Sequence, residues 1–102
     1  MRTEVRNRLL MTREPVSARH EPALADHYAW IWVLPVPDGR FRVALIEVPK
    51  HFVDDDQYFY EEDYDTRFLR IVDSVDEVDS AVQEAGGDPD DLDVPWRNDF
   101  PL

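Results

Sequence analysis

The run HYAWIWVLPVPDGRFRVALIEV, residues 27–48, limits the possible folds more than any other stretch of this chain. Across residues 27–37, Tyr28, Trp30, Trp32 and Leu34 alternate with Ala29, Ile31 and Val33. A strand here is therefore apolar on both faces and must be covered on both, by the rest of the chain or by a partner. Pro37-Asp38-Gly39 is a turn signal, because Pro presets φ for the second turn position and Gly relieves the exit. Residues 40–48 return as the second strand of a hairpin. Pro35 lacks a ladder donor, which places the end of the first strand on an exposed edge.

Further along, Gln57–Glu61 reads as a third strand, Glu62–Thr66 as a turn and Arg67–Val72 as a fourth strand. In the fourth, Phe68 and Val72 oppose Leu69 and Ile71, so it too is apolar on both faces. Ser74 and Glu77 have the spacing of a capping box, and the helix they open carries Val75, Val78, Val82 and Ala85 on one stripe before Gly86-Gly87 stops it. The expected fold is α+β: a small antiparallel meander of about four strands covered by one main helix, in the order ββββα. With 102 residues there is room for a single domain over 1–102. The globular body is expected over 27–102, and residues 1–22 read as a basic N-terminal arm. A short helix in the arm, capped by Thr3, would align Val5 and Leu9. The arm either runs free or folds back over acidic surface. Met11 offers a second start. At the other end, Trp96 and Phe100 are expected to pack onto the body.

Catalytic signals are sparse. Cys is absent, so there is no disulfide frame, thiol nucleophile or thiolate metal site, in keeping with the cytoplasm. Gly occurs only at 39, 86 and 87, which rules out a glycine-rich phosphate loop, and neither Ser74 nor Ser80 sits in a nucleophile elbow. His20, His27 and His51 share no helical ligand spacing; His51 beside Asp54–Asp56 is a weak metal set at most. The acids of GGDPDDLDVP do not make a calcium loop, since Leu92 stands where an oxygen ligand is needed and no Glu closes it. Asp88 as N-cap, Pro89 in the first turn and Asp90 and Asp91 at the positive helix end account for that cluster better. No apolar run approaches the ~20 residues of a membrane span, and Leu9-Leu10-Met11 is too short for a secretory core. The chain reads as a non-enzyme with no cofactor, no metal and no membrane contact.

What stands out is charge. The net charge is −12, which disfavours direct binding to nucleic acid and favours a basic partner. The charge is segregated: residues 1–20 carry five Arg against two Glu, residues 54–65 carry seven acids and no base, and residues 73–93 carry nine acids and no base. Aromatic rings interleave the first acidic block. Asp54, Asp55, Asp56, Tyr58, Tyr60, Glu61, Glu62, Asp63 and Tyr64, with Asp76 and Asp79 of the helix, are therefore the candidate partner-binding residues. Strand alternation either assigns Phe59 to the core and leaves Tyr58 and Tyr60 outward, or all three rings pack inward beneath a solvated acidic turn.

Three functions fit. The first is an inhibitor of a basic protein such as a toxin or nuclease; in profile (small, acidic, Cys-free) the chain resembles bacterial immunity proteins and antitoxins, although no motif ties it to one family. The second is a DNA mimic of phage type that blocks a nucleic-acid-binding enzyme. The third is a structural or assembly subunit, in which the apolar first strand of the hairpin or the C-terminal aromatics pair with another copy.

Overall fold

The computed structural model describes residues 1–58 and 60–101; Phe59, assigned above to the core, lies outside them. Four strands form one antiparallel sheet in the order β1-β2-β3-β4: β1 Val16–His20, β2 His27–Pro35, β3 Phe41–Pro49 and β4 Asp65–Val72. Helix α1 (Thr3–Asn7) runs into a π-helical turn at Arg8–Thr12, α2 is Lys50–Asp54, and α3 is Val75–Glu84, directly after the sheet. The class is α+β, an antiparallel meander followed by a helix, as the patterning requires.

The hairpin of β2 and β3 pairs in register from His27 opposite Pro49 to Pro35 opposite Phe41. At its turn the Gly39 N–H donates to the Val36 carbonyl at 3.1 Å, and φ of +90° at Gly39 is a conformation that glycine adopts without strain. The last β1 residue on that side, Val16, lies opposite Val33. Leu34 and Pro35 thus have β3 alone as neighbour, which is where a residue without an N–H costs least.

Two elements differ from the sequence reading. Among the described residues of 57–61 no strand forms; residues 57, 58 and 60 are irregular and Glu61–Asp63 is a 3-10 turn. The strand that completes the sheet instead is β1, inside the segment read as an arm. Val16, Ser17 and Ala18 are buried there, and Val5 and Leu9 of the preceding helical turns are also buried, so residues 1–22 form part of the packed structure. Arg2, not Thr3, occupies the N-cap of α1. The β3 flank is taken by β4, with a bulge: Leu45 pairs with Phe68 and Ile46 with Thr66, leaving Arg67 as the extra residue.

Both faces of β2 are covered by the chain itself. On one face Ile31, Val33, Phe41, Val43 and Val72 pack beneath Val5, Leu9 and the α3 stripe of Val75, Val78, Ala81 and Val82. Gly87 lies so close that a Cβ there would run into Ile31 and Val82. On the other face Trp30, Ala44, Ile46 and Val48 pack with Phe100, while Phe52, Val53 and Tyr64 border them. The Trp30 indole donates to the Asn98 carbonyl at 2.9 Å, and its ring meets Phe100 edge-on at 5.9 Å. On β4 only the helix side is closed, by Phe68 and Val72; Leu69 and Ile71 are about half exposed.

Capping follows the sequence in part. Asp88 accepts from the Asp90 N–H at 2.9 Å, and Pro89–Asp91 form the one-turn helix. Ser74 holds the N-cap of α3 without a side-chain bond, and the Glu77 carboxylate accepts from the Asp73 N–H at 3.3 Å instead. Among the described residues no helix is long and apolar enough to cross a membrane.

Candidate functional site

The acidic segment is built on the second sheet face. Pro49 ends β3, and α2 follows at once, with Phe52 and Val53 packed toward the core. At its end the Tyr28 hydroxyl donates to Asp54 Oδ1 at 2.8 Å, which raises the Tyr28 pKa because the bond stabilises the protonated phenol. Asp56 then takes a left-handed backbone, φ 55°, and the Gln57 N–H closes onto the Phe52 carbonyl at 2.9 Å. Asp tolerates that conformation better than most side chains, so the chain reverses here without a glycine.

Beyond the reversal the aromatic rings divide. Tyr58 is 97% and Tyr60 71% exposed, whereas Tyr64 turns inward and packs against the second core. Burial raises the Tyr64 pKa, and the charge of Glu61 adds to it. Asp63 turns back on the chain, its carboxylate accepting from the Tyr60 N–H at 2.9 Å. Asp54, Asp55, Asp56, Glu61 and Glu62 are exposed and Asp63 is half-buried. The segment therefore presents carboxylates and two free-standing phenol rings together; Tyr64 acts as its anchor.

Asp76 and Asp79 do not join this surface. They sit on α3, which covers the opposite sheet face, and both are matched within the chain: Arg6 lies 2.6 Å from Asp76, and the Met1 amine lies 2.9 Å from Asp79. Glu84 pairs with Arg70, and Asp93 with Arg2 at 3.0 Å. The second acidic block, which lacks any base in sequence, is thus partly neutralised by residues far away in the chain.

The first block is not. The chain has eleven Lys and Arg residues. Arg2, Arg6, Arg8, Arg40, Arg67, Arg70 and Arg97 are ion-paired with Asp or Glu outside 54–65. Arg13, Arg19, Arg42 and Lys50 lie over the rings of Phe41, Tyr28 and Trp30, Trp32, and Tyr28 respectively. Among the described residues none of the seven carboxylates of 54–65 has a base within ion-pair distance; the nearest positive charges are Arg19 and Lys50 over the Tyr28 ring that holds Asp54, and Arg42, whose charge acts on Tyr64.

Trp96 departs from the expectation that it packs onto the body. It is 69% exposed, on the 3-10 turn Pro95–Arg97, while Phe100 alone closes the core. It stands between two grooves. One, of about 390 Å³, is bordered by Val5, Arg8, Met11 and Arg97; the other, of about 350 Å³, by Phe52, Val53, Asp56, Asp99 and Phe100. Asp56 thereby joins the acidic segment to Trp96.

His51 stacks near Phe52, ring centres 4.3 Å apart, and among the described residues no three His, Asp or Glu side chains group as metal ligands would. No protein-family model, curated protein or solved structure matches the chain.

Proposed function

We propose that this chain is a non-catalytic binding protein that blocks a basic protein partner, such as a toxin or nuclease, in the manner of immunity proteins and antitoxins. The observation that carries the reading is the charge of residues 54–65, none of whose carboxylates forms an ion pair among the described residues, beside exposed Tyr58 and Tyr60. Carboxylates pair Arg and Lys of the partner and speed encounter, while tyrosines contribute contact area at little entropic cost. The DNA-mimic reading has less support, because the acids of α3 lie on the other side of the sheet and are partly paired. The assembly reading is favoured by one feature, the half-exposed Leu69 and Ile71 on edge strand β4.

The test is affinity capture from host lysate, with and without nuclease treatment, alongside a variant carrying Asp54→Asn, Asp55→Asn and Asp56→Asn. A single basic protein, retained after nuclease and lost with the variant, is the expected result. With that partner in hand, the triple variant should slow association about tenfold or more at low salt. Tyr58→Ala or Tyr60→Ala should instead speed dissociation. Several nucleic-acid-binding proteins displaced by DNA would favour the mimic, and a concentration-dependent oligomer with no captured protein would favour assembly.

A further inference from the structure

The geometry points to a binding site for one arginine side chain in the groove between Trp96 and α2, an inference that extends the reading above and takes the partner's basic chemistry from it. Phe52, Val53 and Phe100 give this groove apolar walls, Trp96 stands at its side, and Asp56 and Asp99 supply two carboxylates. Both carboxylates sit on left-handed backbone, at φ 55° and 60°, and both are exposed. Among the described residues no base pairs with either.

The neighbouring groove shows what the same indole accepts. There the Arg8 guanidinium lies 5.1 Å from the Trp96 ring centre, and it is balanced by Glu14 at 2.6 Å. The other charges of that groove are matched as well, since Arg97 lies 3.5 Å and Arg2 3.0 Å from Asp93. Trp96 therefore already carries a guanidinium of this chain toward one groove, while the other groove offers carboxylates with no cation.

Arginine fits this combination better than lysine. Its planar guanidinium stacks on an indole and forks between carboxylates, whereas an ammonium is a compact, strongly hydrated point charge. The aliphatic stem can lie along Phe52, Val53 and Phe100 while the head stays near the carboxylates. The site adds to the acidic segment a place for one specific side chain, where the segment alone offers general attraction.

The probe is a capped Gly-Arg-Gly peptide, with Lys and citrulline in place of Arg as controls, titrated against the labelled protein and followed by amide and indole NMR shifts. Expected are saturable shifts at the Trp96 indole, Asp56, Gln57 and Asp99, weaker with Lys and absent with citrulline. Trp96→Ala and Asp99→Asn, both at exposed positions, should keep the melting curve and weaken the peptide about tenfold. Equal shifts with citrulline, or no shifts in the groove, would overturn the site. So would a captured partner whose affinity is untouched by Trp96→Ala and Asp99→Asn, although the inhibitor reading would then stand. Arginine-specific shifts in the groove with no captured protein would uphold the site and sink the inhibitor reading.

Discussion

Glu47 shows how one residue ties the molecule together. It is 2% exposed in β3, and it accepts from the Ala23 and Leu24 N–H groups at 3.1 and 2.9 Å and from Arg67 Nε at 3.1 Å. Burial alone pushes its pKa up, but the two backbone N–H groups and the guanidinium outweigh burial and hold the carboxyl below its usual range. The unfolded chain therefore takes up this proton first as pH falls. The stability contributed is full above the ordinary Glu value of about 4.3 and is lost as pH drops through the lower folded value. Glu47→Gln keeps an acceptor for the loop but loses the charge facing Arg67. It should cost about 1–3 kcal/mol at neutral pH, with the gap to wild type narrowing in urea unfolding as pH falls below the ordinary Glu value. At Gly87 the constraint is space: Gly87→Ala should destabilise by about 1–3 kcal/mol in thermal melts, because Ile31 and Val82 must move. Neither effect is legible in the string of letters. Glu47 reads as a polar residue in an apolar strand, and Gly87 as the second half of a helix stop.

At the scale of elements, the hairpin and α3 were readable because each carries its own period and its own terminator: alternation around Pro37-Asp38-Gly39 for one, the Val75, Val78, Val82 stripe before Gly86 for the other. The strand at 57–61 was misread because aromatic alternation imitates a strand, while the acids around it favour solvent; Tyr58 and Tyr60 point out accordingly. The five residues of β1 carry too little pattern to be recognised alone, and they become a strand by pairing with β2. If residues 1–22 are integral, Leu9→Ala should cost about 2–5 kcal/mol, as in any closed core, while exposed Met11→Ala should change stability by less than about 0.5 kcal/mol. Equal, small effects at both positions in denaturant unfolding would restore the picture of a loose arm. The Arg6–Asp76 pair is exposed, and Asp76→Asn should lose less than about 1 kcal/mol by the same measurement.

For the whole molecule, the decisive feature is where the positive charge goes. Mutual repulsion among the acids of 54–65 opposes folding slightly, so their replacement should not harm the fold. The Asp54→Asn, Asp55→Asn, Asp56→Asn variant should melt within about 0.5 kcal/mol of wild type. Any difference should shrink as salt shortens the screening length to about 8 Å at physiological ionic strength. Loss of folding in this variant, seen by circular dichroism, would assign the carboxylates a structural role and remove the basis for the interface.

The sequence by itself determined the α+β class, the two-faced apolar hairpin, the helix after the sheet and the segregation of charge, because each is written in local composition and periodicity. Only the tertiary structure decided which acids stay unmatched. Arg6 and the Met1 amine reach α3 across some seventy residues of chain (separations of 70 and 78), and Arg70 reaches Glu84, while among the described residues no base forms an ion pair with a carboxylate of 54–65. It likewise decided that Tyr64 packs inward, that Trp96 stands between two grooves, and that Asp56 meets Asp99 at one of them. Pairing of charges and burial of rings depend on distances in space, and a linear pattern specifies those only once the chain has folded.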